Sequence, residues 1–120
     1  MSLHLEEIRN LLARVEQEEK TLLESKQQKK VLDLELFEIE TEIVREVYFD
    51  PALKNEQQRS AAINISKLRH PRWKQLVKDE LPQISNAIYT AFYATRRLHE
   101  EIAALIGPGY ESEVLKLKET

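Results

Sequence analysis

The sequence predicts an all-α protein. It is expected to be an elongated antiparallel helical hairpin or coiled coil, with one long first helix, then helices two and three separated by a proline break, assembled into an oligomeric helical bundle. Three observations carry this expectation. Leu3 to Phe49 contains neither Gly nor Pro, and as one helix it would be roughly 70 Å long, far more than the ~14 Å radius of gyration of a compact domain of this size. Of the 120 residues, 32% are charged and 42% hydrophobic, with only two Gly and four Pro, which suits a helix-rich chain and excludes a disordered one. Apolar residues recur at alternating steps of three and four, the mark of one helix face.

The first helix has two apolar stretches. Leu5, Ile8, Leu12, Val15 and Leu22 form the first; Leu32, Leu36, Ile39, Ile43 and Val47 form the second, widened by Leu34, Phe37, Val44 and Tyr48. Between them Glu24 to Lys30 holds no apolar residue. The helix is therefore expected as two rods in series, Leu3 to Leu23 and Val31 to Phe49, with a bend, a basic belt or both at the joint.

Asp50-Pro51 punctuates the chain, because proline disfavours helix in the residue before it and lacks a donor. Asn55 is the expected cap of the second helix, its side chain serving the free amides, with Gln58 at capping-box spacing. Pro51 at a first helical position is the competing start. The second helix is expected to stop or bend at His70-Pro71.

The third helix has the cleanest pattern. Val77, Leu81, Ile84, Ile88, Ala91, Thr95, Leu98, Ile102 and Leu105 keep a 4-3 alternation, the expected hairpin or oligomer seam. Phe92, Ala87 and Ile106 broaden it toward more than one neighbour. Pro82 marks either a kink or a helix start, and Gly107-Pro108-Gly109 should end the helix. Residues 1–109 are thus expected as one hairpin domain and 110–120 as a C-terminal tail that docks through Val114, Leu115 and Leu117 or frays.

The net charge of −3 conceals a partition. Residues 1–50 hold 13 acids and 7 bases, 51–78 one acid and 7 bases, and 79–120 7 acids and 4 bases. If the turn centres near residue 51, the acidic 31–50 faces the basic 52–70. The same register sets Lys26, Lys29 and Lys30 beside Arg72, Trp73, Lys74 and Lys78. A solvated polar zone with Trp73 as core is the plain reading of that belt. A nucleic-acid contact, phosphates on the bases and a base stacked on Trp73, is the alternative.

Function classes can be narrowed further. The chain has no Cys, which excludes disulfides, thiolate catalysis and Cys-ligated metals. His4, His70 and His99 are dispersed, and none follows a Glu by three residues, so the Glu-x-x-His pairs of di-iron bundles are absent. Glu35, Glu38 and Glu42 share a helix side but are solvating charges on an acidic helix. The two Gly at 107 and 109 allow no phosphate loop. No catalytic, cofactor or metal residue is assigned, and no enzyme activity is expected. Tyr89, Phe92 and Tyr93 suggest packing or an interface patch. The N-terminus lacks a basic start and an apolar core, and no apolar run approaches a membrane span, so a cytoplasmic protein without membrane contact is expected.

Lys54-Asn55-Glu56-Gln57-Gln58-Arg59-Ser60-Ala61-Ala62 adds a resemblance. A long acidic coil, a short turn and then Asn-Glu-x-x-Arg-x-Ala resembles small uncharacterised coiled-coil proteins encoded by phages, prophages and other mobile elements. The resemblance covers the middle third of the chain and implies an accessory role near DNA replication or recombination, with Asn55 and Arg59 as the carried-over positions. The leading expectation is a non-enzymatic interaction protein, a homo-dimer or tetramer presenting helical surface to a protein partner. A nucleic-acid accessory protein using the basic belt is the alternative.

Overall fold

The computed structural model describes residues 2–107, and every element among them is helical. Helix α1 is Ser2–Tyr48, α2 Glu56–Arg69 and α3 Pro71–Gln75; a π-helical turn, Leu76–Glu80, leads into α4, Leu81–Ile106. The expected all-α class is the observed one. Pro108, Gly109 and the tail 110–120, with Val114, Leu115 and Leu117, lie outside the described residues.

Helix α1 corrects the expectation of two rods, because its 47 residues form one uninterrupted helix through Glu24 to Lys30. Glu, Lys and Gln are good helix formers that need no apolar contact to hold α geometry. Lys29 also reaches Asp33 one turn on, Nζ to Oδ2 at 2.7 Å, the spacing at which opposite charges support a helix.

The turn after α1 is built by short polar side chains. Asp50 Oδ1 accepts the Ala52 N–H at 2.9 Å, an Asx turn that bends the chain beside Pro51. Asn55 is extended (φ −145°, ψ 171°) and caps α2, its side chain accepting the Gln58 N–H at 2.9 Å. Gln58 answers with a variation on the capping box: its Oε1 accepts from Lys54 N–H at 2.6 Å, one residue before the cap.

His70 ends one helix and starts the next. Pro71 forces it extended (φ −87°, ψ 109°), and its Nδ1 accepts the Trp73 N–H at 3.1 Å. Pro71 then occupies the first helical position, where a missing donor costs nothing. Pro82 is accommodated differently. It has no N–H for the Lys78 carbonyl and its ring would press on that turn, and the chain widens just before it. The Leu81 N–H bonds to the Leu76 carbonyl, five residues back. Such a π turn inserts one residue into the helix and rotates what precedes it.

The described residues divide into two compact units, 2–25 with 87–107 and Lys26–Asn86. In the first unit Ile8, Leu11, Leu12 and Val15 of α1 pack with Leu98 and Ile102 of α4, flanked by Leu105 and Ile106. The second unit is a helical hairpin in which Leu32, Ile43 and Val47 of α1 are buried, as are Leu76 and Ile84 after the turn. The expected seam faces inward: Ile84, Ala91, Leu98 and Ile102 are buried, and Val77, Leu81, Ile88, Thr95 and Leu105 are half-buried. It misses Leu76, at 0% exposure, because a strict 4-3 count cannot anticipate the residue that the π turn inserts. The supposed widening residues Leu34, Phe37, Val44 and Tyr48, and Phe92 on α4, are exposed instead.

Candidate functional site

The seven residues of the expected basic belt all belong to the second unit, and three of them, Lys29, Arg72 and Trp73, are bonded to carboxylates. Arg72 lies opposite Glu35 of α1, not Lys30. Its Nη2 meets Glu35 Oε1 at 2.7 Å, its Nε bonds the other oxygen of that carboxylate, and its Nη1 bonds Glu80 and Gln75. The fork-on-fork arrangement is bidentate, the strongest geometry for this pair. The register is centred between residues 53 and 54 rather than at 51, and the tip is asymmetric in the same sense, since α1 ends three residues before position 51 and α2 begins five after it. Lys67 Nζ and Glu40 Oε2, 3.3 Å apart, obey the same register.

Trp73 is half-buried and also faces acid: its Nε1–H donates to Glu40 Oε1 at 3.3 Å. Its polar edge is thus turned to a carboxylate that would repel a phosphate. Lys29 is occupied by Asp33. Lys26, Lys30 and Lys78 are exposed and Lys74 half-buried, without an ion-pair partner among the described residues. The hydrogen-bonded Arg72 guanidinium holds the Glu35 carboxyl below its ordinary pKa, and Arg72 itself is raised, chiefly by Glu35 and also by Glu80.

A second polar cluster sits at the hairpin tip, where the sequence pointed only to a cap. Tyr48 O–H donates to Glu56 Oε1, and the Arg59 guanidinium lies over the Tyr48 ring at 5.2 Å from its centre. Arg59 also donates from Nε to Glu56 Oε2 at 3.4 Å and from Nη1 to the Leu53 carbonyl at 3.5 Å. The bond to Tyr48 is the main cause that lowers the Glu56 pKa, and the same bond raises that of Tyr48. Arg59 therefore meets α1 through an aromatic ring, not through an acid of α1. These contacts lock α2 to the end of α1, a structural role.

What the hairpin leaves uncovered is apolar. On α1 the exposed side chains Val31, Leu34, Phe37, Val44 and Tyr48 are spaced by three, three, seven and four residues, one row along a helix. In the first unit Tyr89, Phe92 and Tyr93 of α4 are all more than half exposed. Tyr89 and Tyr93 stack at 6.3 Å between ring centres, and Phe92 meets Tyr93 edge-on at 5.6 Å. An open groove beside that unit's core is lined by Glu7, Asn10, Leu11, Arg14, Glu101, Ala104 and Leu105.

Among the described residues no three His, Asp or Glu side chains converge to hold a metal ion, and no helix is long and apolar enough to cross a membrane. No protein-family model matches the chain, nor does any curated protein or solved structure. Two separate surfaces have the most to explain, the exposed apolar row of α1 in the second unit and the aromatic patch of α4 in the first. The signal for the row is present in the sequence, since Leu34, Phe37, Val44 and Tyr48 fall at helical spacing, but they lie about 140° round the helix from the buried row and are exposed.

Proposed function

We propose that the chain is a non-enzymatic helical interaction protein that self-associates, as a dimer or tetramer, and offers helical surface to a protein partner. One observation carries the reading: large apolar side chains stand exposed in rows on helices that already pack through another face. Phe37 is 66% exposed and Tyr48 52%, and rows of this kind, set among charges, mark interaction surfaces more often than isolated exposed apolar residues do. The aromatic patch Tyr89, Phe92 and Tyr93 has the composition of interface anchors. Sedimentation equilibrium from 1 to 100 μM tests the reading, and a folded monomer throughout that range would overturn it.

The nucleic-acid reading draws less support. Arg72, Lys67 and Lys29 are neutralised by Glu35 and Glu80, Glu40 and Asp33, and Trp73 is tied to Glu40. A groove for phosphates needs free cations along its length. An accessory role near the DNA of a mobile element, as the Asn55 to Ala61 resemblance implies, would on this reading run through a protein contact. Salt-dependent binding of the chain to single-stranded or duplex DNA would restore the alternative.

A further inference from the structure

We propose that the exposed row of α1 is a two-fold interface at which a second copy of this chain pairs antiparallel, centred on Thr41. The inference rests on the self-association proposed above and specifies its surface and orientation.

The row is self-complementary about one point. Leu34 and Tyr48 are seven residues either side of Thr41, and Phe37 and Val44 are four before and three after it. Glu38 and Arg45, three before and four after it, lie on the same face, within about 60° of Thr41 at 100° per residue. All six and Thr41 itself are exposed. Neither Glu38 nor Arg45 has an ion-pair partner among the described residues of its own chain.

An antiparallel pairing through Thr41 sets Leu34 against Tyr48 of the partner subunit and Phe37 against Val44 of the partner subunit. It brings Glu38 within one residue of Arg45 of the partner subunit, and the symmetry repeats that pair. An isologous contact requires this property, that the patch be complementary to itself. A parallel, in-register pairing would set Glu38 and Glu38 of the partner subunit at one height, and Arg45 and Arg45 of the partner subunit at another, so neither charge would meet its opposite across the interface. A different protein would satisfy the row too, but nothing would then require its apolar and charged positions to mirror one another about Thr41.

The chain contains no Cys, so one introduced thiol reports its own neighbour. The test uses the 120-residue chain with Thr41→Cys and, separately, Leu34→Cys, checked for helicity, sized by sedimentation equilibrium and then mildly oxidised. Two thiols at position 41 meet across the proposed two-fold axis, whereas two at position 34 are held about 21 Å apart by the 14-residue offset, beyond the Cα separation that a disulfide spans. A dimer cross-linked at 41 and not at 34 is the expected result. Cross-linking at both positions means a parallel pair and overturns the orientation. A dimer that links at neither overturns the surface while self-association stands. A monomer overturns both proposals. As a second arm, Glu38→Arg or Arg45→Glu alone should weaken the dimer about tenfold, and the double exchange should restore it; a double exchange as weak as the singles would also overturn the pairing.

Discussion

Replacing Leu76 and its neighbour Val77 by Ala, one at a time, tests the π turn through its energetic consequence. A regular 4-3 seam makes Val77 the core residue; the observed turn makes it Leu76, at 0% exposure, with Val77 only half-buried. Leu76→Ala removes a fully buried side chain from a packed segment of the second unit and should cost about 3 kcal/mol, within the range for buried Leu truncations. Val77→Ala removes two half-buried methyl-sized groups and should cost about 1 kcal/mol at ~0.8 kcal/mol per fully buried carbon. The difference of about 2 kcal/mol is roughly a 30-fold change in the unfolding equilibrium. Trp73, the one Trp in the chain, lies three residues before Leu76 in the same unit, so urea unfolding followed by its fluorescence measures both variants. If Val77→Ala proves as costly as Leu76→Ala, the segment is an ordinary α-helix in solution and the account of Pro82 fails.

Four further outcomes follow from the caps and the polar contacts. Asn55→Ala should lower stability by about 1 kcal/mol while Asn55→Asp changes it by only a few tenths, both read from urea midpoints. The Glu35 carboxyl has a folded pKa below its ordinary value of 4.5 because of Arg72; a depressed carboxylate contributes stability above its unfolded pKa and loses it as pH falls through the folded one. Arg72→Gln should therefore flatten the loss of stability below about pH 4.5, measured as urea midpoint against pH. The Tyr48 phenol has the opposite sign: its pKa is raised from 10.0 by the bond to Glu56, so its contribution is present below that value and lost as pH climbs through the folded one, and Tyr48→Phe should remove that alkaline limb. Gly107 closes α4 at φ 81° with no atom within 4 Å of an added Cβ; Gly107→Ala should cost about 1 kcal/mol from backbone conformation alone, seen as faster amide exchange in the last turn of α4.

Local chemistry was the most legible part of the sequence. Asn55 as a cap, the stop at His70-Pro71 and the inward 4-3 row of α4 each depend on residues within one or two turns of one another, and each is observed. Where the sequence misled, the cause was a distance or a count. The hairpin register needed the exact lengths either side of Pro51, so Arg72 was expected beside Lys30 when it meets Glu35. Leu76 needed the inserted residue of the π turn. Glu24 to Lys30 has no apolar residue and therefore no periodicity to read, yet its propensity and the Lys29 pair with Asp33 suffice to keep it helical.

The outer row of α1 shows a limit of a different kind. Leu32, Leu36, Ile39, Ile43 and Val47 have helical spacing, and so do Leu34, Phe37, Thr41, Val44 and Tyr48. Position by position the second set lies one or two residues after the first, about 140° round the helix on average, which puts them on different faces. Periodicity records that each set is a row but is blind to the angle between rows unless a partner is known, so the outer row passes for a broadening of the inner one. Charges would have separated them. Glu35 and Glu40 flank the inner row, and the hairpin answers them with Arg72, Lys67 and Trp73. Glu38 and Arg45 lie on the outer row, where the described helices of the same chain supply no opposite charge. A helix apolar on two separate faces has room for two coverings. On α1 the intrachain hairpin accounts for one face, and in the proposed pairing the unanswered charges of the other are where a second copy brings an Arg to Glu38 and a Glu to Arg45.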